Sequence, residues 1–294
     1  MRMNSREEEL SDVTQKLFHQ RIGINTTPYL LPSSHHPPFN DVVDVCLHHH
    51  HRSPTMTITI PPALSGSSQV VTLLGYGALL SESSSRLTFP DLSNFRHVRV
   101  KHHKRVFAHP HLFLIKEGLV DPISSLELAT LSAEPSDDDS SSFIAAAFDV
   151  VLTDEQRVYF VKREPEYDIV STPYYDINRH DDGNSQPVGS GIICLASKDS
   201  DMRDIDHLHA ISTKLKDKGG IWHWPCDSGL LPANIYLRHC LLAVQKAGGV
   251  AYSSFLEDTY LVDRKTTLKE YLDKHEDMVM ASRPPPHLAT RFGG

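Results

Sequence analysis

Two features of the sequence have the residue types that proton-transfer chemistry requires. The first directly follows an apolar run ending at Leu74, and we call it the glycine loop. It consists of Gly75, Tyr76, Gly77, Ala78 and Leu79. The second is Glu164, which follows a predicted helix. Closely spaced glycines let a backbone present N–H groups to a carboxylate or an oxyanion, and a positioned glutamate can accept and return a proton.

The helix before Glu164 is predicted from its first residues. Thr153 is a suitable N-cap, and Asp154 and Glu155 are favourable in a first turn, so the segment delivers Glu164 to its C-terminal end. The dipole disfavours a carboxylate there, and partial burial would raise its pKa toward the range of a general base. A plainer alternative stays open, in which the glycines form an ordinary strand-to-helix turn and Glu164 is a surface carboxylate beside Arg163.

Several short strands and a few helices must position these two features. Short segments rich in β-branched and apolar residues predict strands over 69–74, 95–100, 104–108, 143–152, 167–171 and 190–196. Helices are expected near 81–86, around residues 235–244, and from Thr267, whose spacing to Glu270 is that of a capping box. This order indicates an α+β fold, with a closed or nearly closed sheet and helices packed outside it.

Composition divides the chain into three parts. Residues 1–67 are rich in Pro, Ser and His and predict a disordered extension. Residues 68–275 form the expected folded domain, with polar loop insertions near 132–142 and 178–190. Residues 276–294 contain a proline run and are expected to be a disordered tail.

The charge of the chain argues against general nucleic-acid binding. The net charge is -8, whereas neutralising phosphates requires clustered Lys and Arg. One short basic patch alternates with apolar residues, and we interpret it as the solvated face of a strand pair. It contains Arg96, Arg99, Lys101, His102, His103, Lys104 and Arg105.

Other features favour a cytosolic protein that holds no metal. No window approaches the ~18 consecutive apolar residues of a membrane span. Residues 1–9 end in three consecutive glutamates, where a secretory peptide would need an apolar segment and where transit peptides avoid acidic residues, and the four cysteines have no C-x-x-C pairing. Two metal-binding alternatives, residues 48–51 and a group of His207, His209, His223 and Cys226, lack paired ligand spacing or fixed geometry. We expect neither to be a metal site.

The glycine loop and the Glu164 region resemble two signatures of the γ-glutamylcyclotransferase superfamily. Residues 74–79 are similar to the Tyr-Gly-Ser-Leu or Tyr-Gly-Ser-Asn loop that follows the first strand in that family. Residues 153–164 look like its helix, which opens with Thr or Ser and acidic residues and closes at a glutamate. The resemblance covers about residues 69–200 in element order and, loosely, the C-terminal helices.

The resemblance implies a fold and a reaction. The fold is a γ-glutamylcyclotransferase-like mixed β-barrel with flanking and C-terminal helices. The reaction is of the lyase or acyltransferase type: the α-amine of a γ-glutamyl compound attacks its own γ-carbonyl and releases 5-oxoproline, as in glutathione metabolism. Glu164 would be the acid/base, and Gly75, Tyr76, Gly77, Ala78 and Leu79 would bind the substrate. No cofactor, nucleic acid or membrane partner is implied.

Two departures from the family pattern leave alternatives open. Ala78 stands where the family usually has Ser, which makes a non-catalytic ligand-binding or interaction module the second interpretation. Glu166 is a second candidate for the acid/base. The sequence does not identify the leaving group, which could belong to glutathione, a γ-glutamyl amino acid or a γ-glutamylamine, nor the oligomeric state.

Overall fold

The computed structural model of the protein describes residues 60–66, 70–164, 166–178, 186–198 and 224–294. Within these residues it contains nine strands in one mixed sheet. The strands are β1 (Val70–Gly75), β2 (Ser93–Lys101), β3 (His103–Pro110), β4 (Glu127–Pro135), β5 (Ser142–Val151), β6 (Tyr167–Tyr174), β7 (Gly189–Ala196), β8 (Leu231–Pro232) and β9 (Thr259–Tyr260). The α-helices are α1 (Glu82–Thr88), α2 (Leu112–Lys116), α3 (Asp154–Arg163), α4 (Asn234–Ala247), α5 (Gly249–Glu257) and α6 (Leu268–Ala281).

Five of the strands close on themselves. The sheet order is β2-β5-β1-β7-β4-β3-β9, and β6 pairs with β7 while β8 pairs with β4. Arg99 of β2 and Tyr175, just after β6, exchange two backbone hydrogen bonds of 2.9 Å. The path β2-β5-β1-β7-β6 therefore returns to β2. The predicted α+β fold with a mixed barrel is confirmed.

Strand β7 is the branch point of the sheet. It pairs with β6 along its whole length, but it meets β1 only at Leu73 and Ile192 and β4 only at Ala133 and Leu195, both in parallel. Strands β1 and β4 thus diverge from β7 toward different neighbours. The glycine loop leaves β1 beside this divergence, because Gly77 lies next to Leu131 of β4.

The core is built around β5 and the C-terminal helices. Residues 143–148 of β5 are all at most 1% exposed, which fits the short, continuous apolar run of a strand covered on both faces. Helix α6 starts with the predicted capping box, because the Thr267 hydroxyl and the Glu270 carboxylate each accept a hydrogen bond from the other residue's N–H. Its buried face includes Leu268, Tyr271 and Leu272, as the sequence predicts.

The interpretation of the basic patch is wrong in two respects. Strands β2 and β3 do not pair with each other: β2 pairs with β5, and β3 pairs with β4 and β9. Because β3 lies between two other strands and under α5, Arg105 is fully buried instead of solvated.

Three boundaries of the folded domain also differ from the sequence prediction. Residues 276–294 are not a disordered tail, because α6 continues to Ala281 and because Leu288 and Phe292 are buried against Leu114 and Ala233. The domain begins before residue 68, since Leu64 is fully buried. The insertion near 132–142 starts later than predicted, because β4 runs to Pro135 through its pairing with β3.

Some predictions fall outside the described residues. They are the state of residues 1–59, the histidine run at 48–51, the central part of the 178–190 insertion, and three of the four possible zinc ligands, His207, His209 and His223. Within the described ranges, no helix has the length and apolar character needed to cross a bilayer. The same ranges contain no group of three or more His, Cys, Asp or Glu residues arranged to hold a metal ion.

Candidate functional site

The glycine loop is a tight turn between β1 and a short 3-10 helix at Ala78–Leu80. A side chain at Gly75 would overlap the Cβ of Leu79, so the turn itself requires glycine there. The Leu79 carbonyl oxygen accepts a 2.8 Å hydrogen bond from the Ser85 hydroxyl. The Tyr76 hydroxyl donates a 2.6 Å bond to the Cys194 carbonyl oxygen of β7. The loop is therefore fixed at both ends.

Gly77 allows the loop to approach helix α4. A Cβ at this position would lie 3.0 Å from the Tyr236 hydroxyl, 3.3 Å from Leu131 and 3.6 Å from the Cys240 sulfur. Burial raises the pKa of the Cys240 thiol to about 12, and hydrogen bonds from Tyr236 and the Ala78 backbone oppose that rise. The face of the loop at Gly77 is thus lined by side chains of this chain.

Helix α3 delivers Glu164 to its C-terminal end, as the sequence predicts. The Thr153 hydroxyl accepts a hydrogen bond from the Gln156 N–H at 3.3 Å, and the Gln156 side chain accepts one from the Thr153 N–H at 2.8 Å. These two bonds form a capping box that fixes the start of the helix. Glu164 is the C-cap residue, and its carboxylate lies 3.0 Å from the Arg163 Nε.

The Glu164 carboxylate and the glycine loop lie close enough to interact electrostatically. Burial raises the pKa of Tyr76 well above its ordinary value, and the nearby Cys194, Tyr236 and Glu164 raise it further. The Glu164 charge also contributes to the raised pKa of Tyr236, after burial and Cys240. The loop, helix α4 and the end of α3 therefore share one electrostatic environment.

Glu166 is a second carboxyl group at this site. It is half-buried, and desolvation of its carboxyl, followed by the charge of Glu164, raises its pKa to about 8. Its backbone oxygen accepts a 2.6 Å hydrogen bond from the His109 Nε2, and the His109 ring stacks on Tyr167 at 4.9 Å. The pKa of Glu166 thus lies in the range of a general acid/base.

The C-terminal segment adds a cation to this environment. The Arg291 guanidinium lies 3.7 Å from the centre of the Phe113 ring. Desolvation of the guanidinium and the charge of Arg163 together lower the pKa of Arg291 to about 10, against the opposite effect of the Glu164, Glu117 and Glu166 carboxylates, although the residue as a whole is exposed. We call Glu164, Glu166, Arg163 and Arg291 the carboxylate cluster.

The structure thus places the chain just after Glu164 beside the glycine loop, since the Tyr167 hydroxyl donates a hydrogen bond to the Leu131 carbonyl oxygen and Leu131 lies next to Gly77. Glu166, the second candidate acid/base, has a raised pKa. The groups that the sequence did not indicate are His109, Tyr236, Cys240 and Arg291, which come from β3, from α4 and from the C-terminal segment. Their meeting depends on long-range packing, for which local patterns give no signal. The Glu164 residue remains a candidate acid/base, alongside Glu166.

No protein-family model and no curated protein matches the chain. Solved structures with a similar fold include a γ-glutamyl cyclotransferase, 10% identical over 44% of this chain and 68% of that chain, with a TM-score of 0.31. A yeast γ-glutamyl cyclotransferase specific to glutathione is 12% identical over 61% and 88%, with a TM-score of 0.37. An Arabidopsis thaliana protein is 14% identical over 52% and 91%, with a TM-score of 0.30. All three are distant in sequence, at 14% identity or below.

Proposed function

We propose that this protein is a γ-glutamyl cyclotransferase that converts a γ-glutamyl compound into 5-oxoproline and a free amine or amino compound. The single observation that carries the proposal is that the chain just after α3 reaches the glycine loop: the Tyr167 hydroxyl, three residues after Glu164, donates a 2.8 Å hydrogen bond to the Leu131 carbonyl oxygen, and the Leu131 side chain lies next to Gly77. The resemblance of both segments to signatures of the γ-glutamylcyclotransferase superfamily supports the same reaction.

The reaction needs one acid/base and no external nucleophile. The α-ammonium of the substrate gives a proton to the Glu164 carboxylate, and the freed amine attacks the γ-carbonyl, forming a C–N bond in a five-membered ring. The tetrahedral intermediate then expels the original amide nitrogen, which takes the proton from Glu164. The ring nitrogen still carries a second proton, which passes through the Glu164 carboxylate to the released amine, so the products are the lactam 5-oxoproline and an ammonium group. Atoms and charges balance, and intramolecular attack supplies a high effective concentration of the nucleophile.

The glycine loop would stabilise the negative charge that develops on the carbonyl oxygen. The first N–H groups of a helical turn have no partner within the helix, and the turn Ala78–Leu80 starts inside the loop. Backbone donors aimed at an oxyanion supply a large part of the rate in acyl-transfer reactions. Ala78 provides no hydroxyl, so any binding here relies on the backbone.

Glu166 is the alternative acid/base. Its pKa of about 8 suits proton exchange with an amine at neutral pH better than that of an ordinary carboxyl. Glu164 is preferred because it lies at the helix end that the resemblance assigns and because it influences both Tyr76 and Tyr236. Two matched variants separate the two assignments.

A non-catalytic module on the same fold is the second candidate function. One observation favours it: the face of the loop at Gly77 is lined by Tyr236, Leu131 and Cys240. A substrate would have to bind beside these side chains or displace them. The absence of the Ser hydroxyl at Ala78 points in the same direction.

The test is to incubate the full chain with glutathione, γ-glutamyl amino acids and γ-glutamylamines and to quantify 5-oxoproline by mass spectrometry. Glu164→Gln is expected to lower turnover by about 10²-fold or more, because the acid/base is lost. Glu155→Gln is the matched control, since Glu155 is an exposed residue of the same helix. It should retain turnover.

The outcomes are distinct. If Glu164→Gln loses turnover while Glu166→Gln keeps most of it, Glu164 is the acid/base. If Glu166→Gln loses turnover and Glu164→Gln keeps it, the role belongs to Glu166. A folded wild-type protein that releases no 5-oxoproline from any compound contradicts the cyclotransferase proposal and favours the binding module. In that case Ala78→Ser is the first variant to assay for gained turnover.

We also propose a cytosolic location. The three cysteines among the described residues, Cys194, Cys226 and Cys240, are free thiols. Free thiols persist in reducing compartments. Microscopy of the full chain with a fluorescent tag at either end tests this proposal.

A further inference from the structure

Arg105 of β3 is a buried cation close to the glycine loop. Its side chain is fully buried, although charged groups are normally buried only with a compensating partner. Among the described residues it has no carboxylate in hydrogen-bond contact, and its four side-chain hydrogen bonds all go to neutral oxygen atoms. Burying this cation therefore costs free energy that the contacts of the guanidinium must offset.

The guanidinium joins four parts of the chain. Its Nε donates to the Thr259 hydroxyl oxygen at 2.7 Å, and its Nη2 donates to the Ser254 carbonyl oxygen at 2.7 Å. Its Nη1 donates to the Ile144 carbonyl oxygen at 3.0 Å and to the Tyr76 carbonyl oxygen at 3.3 Å. Strands β9 and β5, helix α5 and the glycine loop therefore all contact one group.

Two aromatic rings and one further bond hold this group in place. The guanidinium carbon lies 5.1 Å from the centre of the Phe143 ring and 4.9 Å from that of Phe255. The Ser254 hydroxyl also accepts a 2.9 Å bond from the Ile144 N–H, which ties two of the acceptors of Arg105 together. A planar guanidinium between rings, with its donors engaged, has little freedom to rotate. We call Arg105, Phe143 and Phe255 the arginine clamp.

The Tyr76 carbonyl belongs to the same peptide group as the Gly77 N–H. A trans peptide is planar, and its C=O and N–H point in opposite directions. Because the carbonyl is directed at the guanidinium, the Gly77 N–H is directed away from it. A rotation of this peptide would turn an N–H donor toward a cation and lose the hydrogen bond, so the clamp disfavours it.

We propose that Arg105 is a positioning residue that fixes the plane of the Tyr76–Gly77 peptide and thereby aims the Gly77 N–H at the reacting carbonyl oxygen. This inference rests on the proposed cyclotransferase function. The other bonds of Tyr76 do not replace this role, because its hydroxyl is bound to Cys194 and its ring packs against Phe143. Those contacts fix the side chain and make no hydrogen bond to the carbonyl oxygen.

The guanidinium also polarises the peptide that it holds. A charged donor on a carbonyl oxygen withdraws electron density from the peptide, which makes the N–H of the same group a better donor. In a dry environment this effect is weakly screened. Arg105 would thus make the Gly77 N–H a better donor to the negative charge that develops on the carbonyl oxygen, without contacting the substrate.

The first test is Arg105→Lys, because an ammonium keeps the charge but cannot reproduce the fork geometry of the guanidinium. Turnover should fall about tenfold to hundredfold, less than for removing an oxyanion donor outright, while KM changes little. The amide resonance of Gly77, followed in protein labelled with 15N-glycine, should move. That resonance is measured without substrate.

A second pair of variants keeps the inference testable where Arg105→Lys does not fold. Phe255→Leu removes one wall of the clamp, and Phe148→Leu is its matched control, since both rings are fully buried and Phe148 packs against Phe89 and Phe95 instead. We expect Phe255→Leu to shift the Gly77 resonance and lower turnover, and Phe148→Leu to do neither beyond its effect on stability.

The outcomes separate the inference from the proposed function. A shifted Gly77 resonance in Arg105→Lys or Phe255→Leu, and not in Phe148→Leu, supports the positioning role. A folded Arg105→Lys with unchanged turnover and an unchanged Gly77 resonance overturns it, as does an equal shift in Phe255→Leu and Phe148→Leu. If wild type forms no 5-oxoproline, the proposed function fails, while the Gly77 resonance still decides whether Arg105 orients the peptide.

Discussion

The carboxylate cluster and the arginine clamp both act on Tyr76, but they are built in different ways. The cluster groups charges of both signs in a partly solvated setting, where Glu164 is 21% exposed and paired with Arg163. The clamp holds one cation out of water among aromatic rings and neutral oxygens. Charges near solvent can change protonation at low cost, whereas a dry cation is held by geometry.

The carboxylate cluster and the arginine clamp are therefore expected to contribute differently to stability. The carboxylate cluster contains the groups whose protonation can vary near neutral pH, as the pKa of about 8 for Glu166 indicates. The arginine clamp keeps its charge, because the pKa of Arg105 is lowered by burial only to about 10. Disrupting the clamp should therefore cost stability at every pH, and disrupting the cluster should change how stability depends on pH.

The largest effect is expected from Arg105→Ala. It leaves a cavity and removes the donors of three buried backbone oxygens, so the free energy of unfolding should fall by about 3 to 5 kcal/mol. Urea denaturation at neutral pH measures the loss. Lys104→Ala, at the adjacent and partly exposed residue, should cost no more than about 0.5 kcal/mol. Equal losses in the two variants would contradict a special role for the clamp.

A smaller, pH-dependent effect is expected from Glu166→Gln. The folded state binds the Glu166 proton up to a pKa of about 8, compared with an ordinary value of 4.5, so the wild type binds more protons when folded. This proton stabilises the folded state at low pH. The free energy of unfolding of the wild type should therefore fall by about 2 to 4 kcal/mol as the pH rises from about 4.5 to about 8.

The measurement is urea denaturation of wild type and Glu166→Gln at about pH 5 and about pH 8.5, which bracket most of this interval. The glutamine is neutral throughout, so its variant should lose less stability between the two conditions than wild type does. Glu155→Gln, at an exposed glutamate of α3 that does not contribute to the pKa of Glu166, serves as the control. An identical pH dependence in wild type and Glu166→Gln would mean that Glu166 is not desolvated in solution.

The smallest effect is expected from His111→Phe, at the edge of the carboxylate cluster. Among the described residues, His111 Nδ1 is a buried nitrogen without a hydrogen-bond partner, and its ring contacts Tyr236 edge to face at 4.9 Å. Replacing the ring with an apolar one should stabilise the fold by about 1 kcal/mol at neutral pH, since an unsatisfied polar atom is removed.

The gain from His111→Phe should grow on acidification. Burial, with the nearby Arg291 and His239, lowers the pKa of His111 to about 3, so only the unfolded wild type takes up this proton as pH falls below about 6.5. Thermal unfolding of both proteins at neutral pH and near pH 5 checks the trend. A lower melting temperature for His111→Phe at both pH values would show that the imidazole is needed in the fold.

Local patterns were sufficient to predict much of the framework of the site. The capping residues Thr153 and Thr267 each start a helix where their spacing to Gln156 and Glu270 indicates one, because a capping box is a short-range interaction. The strand that ends at the glycine loop was predicted by its β-branched and apolar residues. Glu164 lies at the helix end for the same local reason.

The arginine clamp could not be predicted in this way. Arg105 lies in a run of basic residues that predicts a solvated strand face. It is buried because its strand, β3, pairs with β4 and β9 and because α5 packs over it. The position of Arg291 depends on Phe292, a buried anchor in a segment whose prolines suggested disorder. These outcomes follow from contacts between residues far apart in sequence, which residue patterns along the chain do not encode.

The branching of β7 has a consequence for the order in which the protein folds. The bond that fixes Tyr76 to Cys194 spans 118 residues, and β7 must pair with β1 and β4 before its acceptor is in place. Contacts across so long a stretch of chain form late and slowly, because loop closure costs entropy before pairing repays it. We therefore expect the glycine loop to reach its native conformation only in the last step of folding. A chain in which β7 has not yet paired would lack the native arrangement of the site residues.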